Sequence, residues 1–206
     1  MTDNRAAPLN VPDLRAGLRV SQISLVWTVA AGVFAIVIGV TSNSLVLVAF
    51  GAIGLLDGIG SGSLIVHFRH SLRHEAISQE HERIALTIVT VGMGVIGVLT
   101  IADSAYRLGT GSTSHSGPIG SALAGTSIIV LAWLALSKRR IAKRIPSHAL
   151  HSDGWVSAMG SLLALVALAG LALDAITGAW WIDPIAAIGV ACGAVWLSFV
   201  LARGRT

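Results

Sequence analysis

Two aspartates stand inside apolar stretches. Asp57 sits in the middle of "GAIGLLDGIGSGS", and Asp153 enters a second stretch within "SHALHSDGWVSAMGS". A charge at the centre of a membrane helix costs at least about 2.5 kcal/mol on insertion scales, so such a residue points to function by default. Asp57 is too far from either end of its stretch for a short side chain to reach water. A carboxyl in a low-dielectric setting favours its proton, and an approaching cation favours the ionised form. A group so placed can trade a proton for a metal ion. The structural alternative is a protonated carboxyl hydrogen-bonded to a neighbouring helix.

Asp153 has Ala149 one turn before it and Ser157 one turn after, while His148 and His151 share a different side. Those histidines are either a solvated pair at a helix start or auxiliary metal ligands, since neutral imidazole suits Zn²⁺. Pro146 is a favoured first-turn residue. From there Asp153 lies about 10 Å along its helix, and Asp57 roughly 15 Å along its own, at 1.5 Å per residue. The two carboxylates are thus expected at similar depth. Other acids have plainer expectations. Asp103 stands one turn before Arg107 and can pair with it. Asp174 is expected near the outer surface and wet. Asp183 is expected to stabilise the start of its own helix. The segment "HFRHSLRHEAISQEHER", residues 67–83, can collect cations or serve as a solvated connector.

The elements that must position these acids follow from composition. The chain has 206 residues, 54% hydrophobic and 12% charged, against about 25% charged in soluble domains. This is the composition of an integral membrane protein. Six stretches reach the roughly 20 apolar residues that span a bilayer: Ile23–Val40, Ser44–Val66, Ile84–Tyr106, Ile119–Leu136, Trp155–Ile176 and Ile185–Leu201. None alternates like a strand, and lipid demands that backbone groups be satisfied internally. The expected fold is all-α, a polytopic membrane protein of six transmembrane helices. Gly54, Gly58 and Gly62 are spaced four apart on helix 2, which allows close helix approach.

Arg5, Arg15, Arg19, Arg69, Arg73, Arg83, Lys138, Arg139, Arg140, Lys143, Arg144, Arg203 and Arg205 all fall on one side of a six-helix chain, leaving Arg107 alone on the other. The positive-inside bias predicts cytoplasmic N- and C-termini. Residues 1–20 are expected as a cytoplasmic N-terminal segment, 21–202 as the transmembrane domain and 203–206 as a short tail. Trp180 and Trp181 fit an interfacial belt. No removed signal peptide is expected. The net charge of +4 belongs to this topology and not to nucleic-acid binding. The single Cys192 excludes an internal disulfide and a cysteine metal cluster. No nucleophile–base pair or phosphate-cradling loop stands at recognisable spacing, so no enzyme is expected. The small-residue-rich composition fits a bacterial inner membrane.

Four features together resemble the cation diffusion facilitator family. They are six helices with both ends cytoplasmic, "SNSLVLVAFGAIGLLDGIGSG" in helix 2, "SHALHSDGWVSAMGSLLAL" opening helix 5, and "GAWWIDPIAAIGVA" leading into helix 6. The likeness runs from about Val20 onward, to a short, divergent branch without the usual cytoplasmic domain. It implies export of a divalent metal (zinc, manganese or iron) in exchange for protons, with no tightly bound cofactor, by a homodimer in the bilayer. The family's site uses two acids four apart on helix 2, and a His or Asp four before an Asp on helix 5. Asp57 and Asp153 match the second position of each pair, whereas Ile53 and Ala149 stand at the first.

The expected site therefore joins Asp57 and Asp153 with the hydroxyls of Ser61 and Ser157, and with His148 or His151 if helix 5 is locally unwound. An oxygen-rich set suits Mn²⁺, Mg²⁺ or Fe²⁺ better than Zn²⁺. Two rivals stay open. One is a non-transporting membrane protein that binds metal or a partner for sensing or assembly. The other is an exporter of small organic cations, against which the 5% aromatic content argues.

Overall fold

The computed structural model describes residues 11–72, 79–111, 117–144 and 148–203. They form six helices: α1 Val11–Thr41, α2 Leu45–Leu72, α3 Gln79–Thr110, α4 Pro118–Ala142, α5 His148–Thr177 and α6 Ile182–Arg203. All six are long and apolar enough to cross a membrane. No strand occurs among the described residues. The helices outrun the apolar stretches that predicted them. α1 begins at Val11 and not Ile23, and α4 runs on to Ala142 through the basic residues that read as a connector. Hydropathy marks where lipid begins, but a helix continues past that level while its backbone bonds continue.

Helix contacts close a ring in the order α1, α2, α3, α6, α5, α4, with α2 also touching α5 and α6 across the middle. α2 is the central helix, with 56% of its apolar window buried against 33% for each of the others. One apolar core joins Val46, Leu47, Phe50 and Ile53 of α2 to Ala164, Ala167 and Leu171 of α5 and Ala187, Val190 and Ala194 of α6. The large apolar side chains that remain exposed, such as Val26, Phe34, Leu99 and Trp196, suit contact with lipid tails.

The closest approach of α1 and α2 lies just before the glycine stripe read from the sequence. A Cβ on Gly51 would stand 2.6 Å from the Gly32 carbonyl oxygen, where α1 and α2 cross. At Gly54 and Gly58 the nearest atoms of α1 would be 3.7 and 3.1 Å away, and at Gly62 nothing lies within 4 Å. Gly54 and Gly58 thus face α1 as their spacing allows, Gly62 does not, and Gly51, outside the stripe, makes the tightest contact of this pair.

Turn chemistry ends the helices. Gly111 and Gly178 take positive φ, 70° and 63°. Their N–H groups bond the Arg107 and Asp174 carbonyls at 2.9 and 2.8 Å, a left-handed helix stop. Asn43, also at positive φ, accepts from Arg107 Nη1 through its carbonyl (2.8 Å) and its side-chain oxygen (3.1 Å). Arg107 also pairs with Asp103, as expected.

Two acids sit differently from expectation. Asp174 is buried, not wet. Asp183 stabilises the start of another helix. Its carboxylate accepts the Ser44 hydroxyl and, at 2.7 Å, the Leu45 N–H. An acid in the first turn of α6 thus caps α2, because the two helices meet across the middle of the ring. Asp183→Ala leaves buried Ser44 and Leu45 donors unmatched, an expected loss of about 1–3 kcal/mol. Thermal unfolding in detergent should show a lower midpoint, with a smaller drop for Asp183→Asn. An unchanged midpoint would contradict the cap.

Candidate cation site

Six polar side chains from four helices meet inside the bundle. Asp57 and Ser61 come from α2, Asp153 and Ser157 from α5, Ser24 from α1 and Lys138 from α4. All are buried: the two aspartates are 7% exposed, and Lys138 and the three serines 0%. Each carboxylate has its serine one turn later on the same helix, so α2 and α5 present matching Asp–Ser pairs.

Lys138 ties the cluster together. Its ammonium forms an ion pair with Asp153. It also donates to Ser24 Oγ at 2.7 Å and to Ser157 Oγ at 2.8 Å. Two of its three N–H donors thus go to serines, and its charge is paired with Asp153. Ser61 donates to Ser24 at 3.0 Å, which continues the chain to α2. Thr28, one turn along α1, bonds the Ser24 carbonyl at 2.9 Å.

Asp57 is the unsatisfied member. Its Oδ1 is buried with no hydrogen-bond partner among the described residues. Lys138 and Asp153 both act on it electrostatically, so the three charges form one group. With both carboxylates ionised, that group carries one net negative charge. A buried polar atom without a partner costs free energy, and a proton, a hydrogen-bond donor or a cation would supply what Asp57 lacks.

Glycines set this geometry. A Cβ on Gly154 would stand 2.9 Å from Arg139 Cγ and 3.5 Å from the Ala135 carbonyl oxygen. The residue after Asp153 thus lets α5 close on α4 beside Lys138. At Gly60 a Cβ would lie 3.9 Å from Asp153 Oδ1, so the α2 backbone passes next to the α5 carboxylate. Outside this contact Arg139 lies over the Trp155 ring at 4.5 Å, a cation–π contact that holds the same helix pair.

Of the residues singled out from sequence, Asp57, Ser61, Asp153 and Ser157 are brought together. His151 is exposed and stays out of the cluster. The side chains of His148 and Ala149 lie outside the described residues. Ile53 packs in the apolar core. Among the described residues, no three His, Cys, Asp or Glu side chains are grouped to hold a metal ion. Of the 67–83 segment, His70 Nδ1 lies 2.9 Å from the Val66 carbonyl oxygen. His74 and Glu75, and the side chains of Glu80, His81 and Glu82, lie outside the described residues.

Lys138 and Ser24 were missed. Lys138 read as one of the basic residues of a connector, but it is in α4 with its head buried. A signal was available: Asp153 needs a partner, and Lys138 is the first cation after the apolar run "LAWLALS" on the helix that packs beside it.

The sequence family described as the cation efflux transmembrane domain matches residues 21–203. No curated protein matches the chain.

The ion pair generates a prediction. Removing one partner of a buried pair typically costs about 3–5 kcal/mol, because the other is left uncompensated. Lys138→Met should therefore lower the unfolding midpoint in detergent, and adding Asp153→Asn to it should restore most of the loss. Additive losses would show that the two side chains do not depend on each other.

Proposed function

This chain belongs to the cation efflux family, which makes it a metal-cation transporter in general terms, and we propose that it exports a divalent metal in exchange for protons through the Asp57–Asp153 cluster. The observation that carries this reading is Asp57 itself, a buried carboxylate on the central helix with an oxygen that no described side chain satisfies. In the proposed cycle a metal ion binds between α2 and α5. The Asp57 and Asp153 carboxylates and the Ser61 and Ser157 hydroxyls are its ligands, and the Asp57 carboxyl gives up its proton. The bundle then opens to the other side, a proton rebinds Asp57, and the metal departs. An all-oxygen set with open positions for water favours Mn²⁺ or Fe²⁺ over Zn²⁺. The working unit in this proposal is a homodimer in a bacterial inner membrane, with both termini cytoplasmic.

One observation favours the rival role in sensing or assembly. Ile53 is packed into apolar core where the family places its first acid, so this site holds fewer ligands than a zinc cage needs.

Liposomes carrying the purified protein and a pH gradient separate the two readings. Gradient-dependent uptake of Mn²⁺, Fe²⁺ or Zn²⁺ is expected, falling to the rate of empty liposomes in Asp57→Asn. Correctly inserted protein that moves none of the three metals would favour the non-transporting role.

A further inference from the structure

Lys138 has no part in that cycle, yet it occupies the same atoms. We propose that its ammonium is a tethered occupant of the cation seat on Asp153, which the transported ion must displace and which thereby screens ions by charge. The inference rests on the metal-site reading above.

Occupancy is the first support. The ammonium pairs with Asp153 and bonds Ser157, two of the four side chains assigned to the metal. The second is the tether. Lys138 lies four residues before the end of α4 at Ala142, on a flexible four-carbon stem. The C-terminal end of a helix attracts cations, although the Arg139 and Ile141 carbonyls of α4 already accept the Lys143 and Arg144 N–H groups. A displaced head therefore has a destination within reach, at the end of the bundle that also carries exposed Lys143. The third is charge. Two carboxylates face one ammonium, so a metal ion seated beside an unmoved Lys138 would put two cations into one buried pocket.

Screening follows from Coulomb's law, in which attraction grows with the product of the charges. A monovalent ion offers Asp153 no more charge than the ammonium it replaces, and three contacts of that ammonium must break for it. A divalent ion offers twice the charge and reaches Asp57 as well. Na⁺ and K⁺ are thereby excluded, although they far outnumber any transition metal.

The chain has two lysines, Lys138 and Lys143, which makes displacement measurable in the unaltered protein. Amine acylation in detergent, read by mass spectrometry, should label Lys143 with or without Mn²⁺ and Lys138 only when Mn²⁺ is saturating. In parallel, calorimetry should show Lys138→Met binding Mn²⁺ at least about tenfold more tightly than the parent chain. Excess Na⁺, against choline at equal ionic strength, should weaken binding in that variant alone. If the parent binds Mn²⁺ but Lys138 labelling does not change and the variant binds no tighter, the inference is overturned and the metal site stands. If neither protein binds Mn²⁺, Fe²⁺ or Zn²⁺, the metal-site reading falls and takes this inference with it.

Discussion

The interior of a membrane bundle offers no water to an ionised side chain, so every charge placed there must be answered by another group of the protein. This condition explains more of the structure than any other. Asp153 is answered by Lys138, and the remaining donors of Lys138 are answered by Ser24 and Ser157. Those contacts draw α1, α4 and α5 to one point, and Ser61 adds α2. Buried pairs of this kind add little net stability over apolar packing. They do fix which helix faces meet, since any slip of α4 against α5 strands two charges.

The rest of the bundle is arranged around that point. Gly154 lets α5 close on α4, Gly60 brings the α2 backbone next to the Asp153 carboxylate, and Gly51 seats α1 on α2. α2 runs through the middle and carries Asp57 into the most protected part of the molecule. Asp183 holds the other end of α2 from the first turn of α6. A helix anchored at its start and polar in its middle is positioned at both places by acids on or beside it, while its flanks are held by apolar contact.

Much of this was legible in the sequence. Six apolar runs gave six helices, because lipid requires long unbroken segments and leaves few alternatives. Asp57 and Asp153 stood out because a carboxylate is costly there. Lys138 did not stand out, because lysine at the edge of an apolar run is ordinarily an interfacial residue, and only the packing of α4 on α5 shows its head turned inward. Asp183 was read as serving its own helix because local sequence carries no information about which helix start lies beside it. The glycines of α2 signalled close packing correctly, but which of them makes the contact depends on the crossing point with α1. In each case sequence supplied the chemistry of the residue, and tertiary arrangement chose its partner.

The claim on which function depends is that Asp57 is the carboxylate that receives the cation. Infrared difference spectroscopy on the protein in lipid films tests it directly, because protonated, free and metal-bound carboxyl groups absorb at different frequencies. Adding Mn²⁺ should remove a protonated-carboxyl band and create metal-carboxylate bands in the parent chain, and both changes should vanish in Asp57→Asn. The same Mn²⁺-induced spectrum in parent and variant would contradict a cation site at Asp57.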